Sequence, residues 1–168
     1  MRRISSLPPD PPDFAETAGP TSRPPPGTPN VLRFGRHTMW FEPPDLYVIS
    51  LDGILRAEEI LRMKELTRDR YMQASYVLNL IHLNSVGIPS PDTRKVAASD
   101  PGRAIPQVFA FVGGSFATRV VTSVVLRAAN LIRPGMMTFE LFDDEVEARA
   151  WIAERRREIL EGSSSAPP

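Results

Sequence analysis

The chain has 168 residues, 42% hydrophobic and 24% charged, which is enough for one ordinary domain with a real core and too few for two large ones. Twenty Lys and Arg balance twenty Asp and Glu, so the unbalanced positive patch that phosphate contacts require is missing and nucleic acid is excluded as a main partner. The absence of Cys rules out disulfides, thiolate catalysis and Cys-based zinc or iron–sulfur sites and fits a reducing, cytoplasmic setting. Two histidines, His37 and His82, are too few for most metal centres.

The first residues, Met1-Arg2-Arg3-Ile4, are basic, but Pro and Asp follow where a signal peptide needs an apolar run, so export by that route is not expected. Nine of the 18 prolines fall before residue 31, and residues 1–35 read as a disordered arm with polyproline-II character. Its Pro8/Pro11 and Pro26/Pro29 spacings match PxxP docking motifs, which any Pro-rich tract produces by chance. Residues 162–168, Gly-Ser-Ser-Ser-Ala-Pro-Pro, read as a second disordered tail.

Residues 36–161 alternate strand-like and helix-like periodicities, the pattern of an α/β domain. His37–Glu42 and Leu46–Leu51 flank Pro43-Pro44-Asp45 and predict an antiparallel hairpin. Ala57–Asp69 carries Ile60, Leu61, Met63, Lys64 and Leu66 at helical spacing. Tyr76–Ile81 is nearly continuous in apolar residues, as a central strand flanked by neighbours should be. Ser90, Pro91 and Asp92 then supply an N-cap, a first helical position and a dipole partner for a short helix to about Ala98.

Val108–Val112 predicts the next strand, and Gly113-Gly114-Ser115 turns it into a long helix, Phe116–Ile132. The interruption at the glycines, with Arg119 and Arg127, argues against a membrane span over Gln107–Ile132. That helix is more apolar than a surface helix requires. Val120, Val121, Val124, Leu131 and Ile132 form an expected core stripe, which leaves Val125, Leu126 and Ala129 to be buried by the fold or covered by a partner or an apolar ligand. Met137–Phe142 is the last strand, and Asp143-Asp144 caps a final helix with an acidic first turn and Arg155, Arg156 and Arg157 further on. The prediction is a mostly parallel five-stranded sheet with an antiparallel N-terminal edge strand and four helices.

This β-β-α-β-α-β-α-β-α order, together with Glu42-Pro43-Pro44-Asp45-Leu46, the segment around Ser90, Gly114–Val120 and Glu147–Ile152, resembles the STAS / SpoIIAA-like superfamily over residues 37–160. The resemblance implies a non-enzymatic regulatory module, related to anti-sigma-factor antagonists, in which a Ser or Thr opening the second helix is phosphorylated by a partner kinase. Ser90 is the positional match. Pro89-Ser90-Pro91-Asp92 stands where the family has an Asp-Ser-Ser-Gly-like segment, and Asn79 stands where a strand acid is common. The same layout, shared with CRAL-TRIO-like lipid carriers, implies as an alternative the binding or sensing of a small apolar ligand.

On these grounds Ser85, Ser90, Asp92 and Arg94 are the candidate phosphorylation and partner loop. Ser115, Phe116, Arg119 and Val125 are the candidate interaction or ligand helix. An unidentified protein partner, a kinase or a sensor, is expected, and a homodimer through a sheet edge or the long helix is left open. Ser90 is also explained in full as a plain N-cap, and Gly113-Gly114-Ser115 as a tight turn, since it lacks the Lys and spacing of a phosphate-binding loop and no nucleophile elbow surrounds Ser115. His82 sits where α/β sheets bind ligands, with a hydrogen-bonded structural role as its default. Asp52 and Glu140 have no sequence reason to meet one substrate. No catalytic residue, metal or cofactor is assigned.

Overall fold

Pleated runs of β-branched and aromatic residues build the sheet of this protein, whose residues 23–99, 105–132 and 134–164 are described by a computed structural model. In chain order the elements are β1 (Leu32–Phe34), β2 (His37–Glu42), β3 (Leu46–Leu51), α1 (Ala57–Gln73), β4 (Val77–Leu83), α2 (Pro91–Ala98), β5 (Gln107–Gly113), α3 (Phe116–Ile132), β6 (Met137–Phe142) and α4 (Glu145–Ser164). The strands lie side by side in sequence order, β1-β2-β3-β4-β5-β6. The first two pairings are antiparallel and the remaining three parallel.

The alternation of side chains divides the core in two. Met39, Tyr47, Ile49, Ile81 and Phe111 point to one face, where Met63 and Tyr71 of α1 and Leu126 of α3 pack on them. Trp40, Val48, Leu80 and Ala110 point to the other, against Ala148 and Ile152 of α4. The topology explains the split: parallel strands added in one direction with right-handed crossovers place every crossover helix on the same face. α4 follows the last strand, is not a crossover, and covers the face left bare.

Two expectations are corrected. The sheet has six strands where the sequence predicts five, because Leu32–Phe34, within the segment assigned to the arm, pairs with β2. Three residues are too few to display a period of two, and the pairing is imposed by the tight Gly35-Arg36 turn that sets Phe34 opposite His37. Gly35 is required there: its φ is +63°, and a Cβ would lie 1.8 Å from Glu59 Oε1. At the other end α4 runs to Ser164, into the expected tail. The expectations for residues 1–22 and 165–168, including the Pro8/Pro11 motif, lie outside the described residues.

The second correction concerns the face of α3. Val120, Val124 and Leu131, expected in the core, are exposed, while Ala129 is buried and Leu126 packs on the core; Val121 is half-buried and the Ile132 side chain lies outside the described residues. Valines recur almost all round this helix, so its sequence offers two apolar stripes. The choice is made at its entry: Thr118 Oγ1 donates to Val86 O at 2.9 Å, which turns the Thr118–Val125–Ala129 side inward.

Candidate functional site

Three loops meet at the carboxyl end of the parallel strands. Gly53 N–H donates to Ser85 O (3.1 Å), Gly87 N–H to Gly53 O (3.3 Å), and Thr118 joins through Val86, so the loops after β3 and β4 and the start of α3 form one edge. Ser90 caps α2 by accepting from Thr93 N–H at 3.2 Å, and Ser115 caps α3 by accepting from Thr118 N–H at the same distance. Each serine hydroxyl also bonds to the hydroxyl of its threonine at 2.9 Å. Both helices thus begin with the same Ser-x-x-Thr device, which satisfies amide hydrogens that the helix itself leaves free.

Ser85, Ser90 and Asp92 are exposed on this edge and Arg94 is half-buried one turn into α2. Around them stand large apolar side chains in water: Ile54 is 65% exposed, Ile88 57% and Phe116 84%. The four residues singled out on α3 do not share a place. Ser115 and Phe116 belong to the carboxyl edge, Arg119 turns to Phe142 O (3.3 Å) and the Asp143 carboxylate, and Val125 faces the interior.

Between the sheet and the helices lies a cavity of about 500 Å³, partly open to solvent, and chain lengths account for it. α1 and α3 have 17 residues each and α2 only 8, so they span about 25 Å and about 12 Å at 1.5 Å per residue. β4 and β5, with 7 residues, run for about 23 Å. α2 starts at the carboxyl edge and ends half-way down, so Ala97 and Ala98 form the roof of a space that no helix fills. Its floor is Ile49, Ile81, Phe109 and Phe111; its walls are Met63 and Tyr71 on one side and Val125, Leu126 and Ala129 on the other.

Few polar groups enter this space. Tyr47, Asn79 and Phe109 lie on one rung of the sheet; Asn79 Nδ2 donates to Val108 O at 3.2 Å, and the Tyr47 hydroxyl is buried without a hydrogen-bond partner among the described residues, its pKa pushed up by burial. Gln107 Nε2 donates to Tyr71 Oη at 3.1 Å. Lys64 directs its ammonium at α2, donating to Val96 O (2.9 Å), Ser99 O (2.7 Å) and Ser99 Oγ (3.0 Å), where a cation suits the carbonyl end of a helix. Burial lowers its pKa.

The two histidines are held apart from the cavity and from each other. His37 accepts from Asp52 N–H through Nδ1 (3.0 Å), which places its proton on Nε2, facing Glu59 at 3.2 Å. Glu59 also accepts from Arg56 N–H (2.8 Å), so the imidazole locks the first hairpin to the start of α1. His82 is buried on the α4 face, its Nε2 without a hydrogen-bond partner among the described residues and 3.6 Å from Glu145, and burial lowers its pKa despite that carboxylate. Arg149 bridges Glu145 (2.7 Å) and Glu42 (2.8 and 3.1 Å), and its hydrogen bond holds the Glu42 carboxyl below the usual carboxylate range. Asp52 pairs with Arg36 at 3.1 Å, three strands away from Glu140 in β6. Among the described residues no hydroxyl bonds to either histidine, no acidic or histidine cluster is placed to hold a metal ion, and no helix is long and apolar enough to cross a membrane.

No family model and no curated protein matches the chain. It is similar to a crystal structure of an uncharacterised protein of the DUF3478 family with a SpoIIAA-like fold from Shewanella loihica. Identity is 18%, the TM-score is 0.46, and the match covers 68% of this chain and 89% of that one. The apolar-ligand alternative drawn from the sequence implies such a cavity, and the chain carries further signals of it: a helix of eight residues between strands of seven, and polar Asn79 and Gln107 in strands that are apolar but for His82.

Proposed function

We propose that this protein is a non-enzymatic binding domain that takes a small, mostly apolar molecule between its sheet and the α1–α3 layer. The observation that carries this reading is the cavity. Its volume of about 500 Å³ lies within the roughly 300–1,000 Å³ of small-molecule sites, and its mostly apolar lining with a few placed polar groups is what such sites use. The pocket is partly open to solvent, and its mostly apolar lining gains by giving up water to an apolar occupant. Native mass spectrometry of the protein purified gently from its own cells tests the reading. A small-molecule adduct that leaves on denaturation is the expected result; a bare chain that also fails to take up apolar probes refutes it.

The exposed trio at the carboxyl edge favours a second reading, in which that edge binds a protein partner. Ile54, Ile88 and Phe116 together expose more apolar surface than isolated surface residues do, and Ser90 beside them is an accessible hydroxyl at a helix N-terminus, where added phosphate would meet the positive end of the dipole. Control by a partner kinase would act there. Phe116→Asp is expected to abolish capture of a partner while shifting stability by no more than about 0.5 kcal/mol. An unchanged complex would remove this reading and leave the first intact.

A further inference from the structure

From the cavity floor we infer the class of the occupant: an uncharged molecule whose single polar group donates a hydrogen bond, an alcohol, phenol or amide with an apolar body, seated on the Tyr47–Asn79 rung. This inference rests on the ligand-binding reading. Asn79 is 7% exposed and lines the cavity. Because Val108 O can only accept, the Asn79 group facing it at 3.2 Å must be the NH₂, which leaves Oδ1 as an acceptor bonded to no described residue. An acceptor on a residue that lines the pocket is open to a ligand hydroxyl or N–H on this rung, at the worth of one neutral hydrogen bond. Tyr47, next to Asn79 across β3 and β4, adds a buried hydroxyl with no hydrogen-bond partner among the described residues.

The same surroundings disfavour a charged head. No floor residue carries a charge, and the half-buried wall cation, Lys64, already donates to three oxygens of the α2 terminus. The remaining charged lining residues, Glu65 and Arg68, lie on the exposed side of α1. A carboxylate or ammonium on the Asn79 rung would therefore be desolvated with nothing to pair it, the most expensive kind of burial.

Three probes with one tail separate the possibilities: decan-1-ol, decanoate and decylammonium, titrated calorimetrically into the full chain, into Asn79→Leu and into the space-filling Val125→Trp. Circular dichroism checks each fold, and Leu126→Phe replaces Val125→Trp should the latter not fold. Decanol is expected to bind at least tenfold more tightly than either ion, about fivefold more weakly to Asn79→Leu, the worth of one neutral hydrogen bond, and not at all to the filled variant. Decanoate or decylammonium binding as tightly as decanol, or decanol indifferent to Asn79→Leu, overturns the assignment of a neutral donor while the cavity reading stands. No probe binding, or binding undiminished by filling the space, overturns both.

Discussion

Ala129→Leu tests the cavity through the sign of a stability change. Ala129 is buried in α3 and lines the space under α2. In a close-packed core, inserting three carbons forces strain and costs about 1–3 kcal/mol. Here the three added carbons enter a pocket of about 500 Å³. At about 0.8 kcal/mol per buried carbon the gain approaches 2.4 kcal/mol, and the lost rotamer freedom of a leucine removes about 0.5–1 kcal/mol. The ligand-free protein should therefore be stabilised by about 1.5 kcal/mol, which for a chain of this size raises Tm by about 3–6 °C. Calorimetric melting of stripped wild type and variant measures it, with a decanol titration alongside expected to show weaker binding by the variant. A Tm lowered by several degrees would mean that α3 already packs tightly on the sheet, and the reasoning from the short α2 would fail.

The first hairpin and the acid limb of stability give two further expectations. Gly35→Ala should cost about 3 kcal/mol, from left-handed backbone strain of about 1 kcal/mol and about 1 kcal/mol each for the Glu59 contacts to His37 and to the start of α1 that its Cβ displaces; urea unfolding measures it, and a loss below about 1 kcal/mol would show that the turn relaxes freely. The Glu42 carboxyl is held below its ordinary pKa of 4.5 by Arg149, so the folded state binds fewer protons than the unfolded one. Its contribution is present above that value and fades as pH falls through the lowered one. Arg149→Met should flatten this acid limb in melts between about pH 5 and 2, whereas an unchanged slope would detach Glu42 from it.

Much of the fold was legible because local chemistry and tertiary need coincide in it. Ser90 and Ser115 cap the helices they were read to cap, and Leu46–Leu51 and Val77–Leu83, buried throughout, could hardly be other than inner strands. β1 escaped because three residues carry no period and are held by partners across a turn. The inward face of α3 escaped for the opposite reason: apolar residues nearly surround the helix, so periodicity offers two answers. A long-range hydrogen bond from Thr118 to Val86, 32 positions earlier, selects one. Ser85, Ser90 and Asp92 share one edge because all three follow β4, whereas the exposed Ile54 and Phe116 beside them come from other loops.

By itself, then, the sequence determined the order of the elements from β2 onward, the serine caps of α2 and α3 and the absence of cysteine chemistry, since each of these follows from residues within a few positions of one another or from composition. The tertiary structure alone decided which face of α3 is buried, that α4 crosses to the far side of the sheet, and that the short α2 leaves a cavity. A cavity is a mismatch between the lengths of elements laid side by side, and no local run of residues contains that comparison.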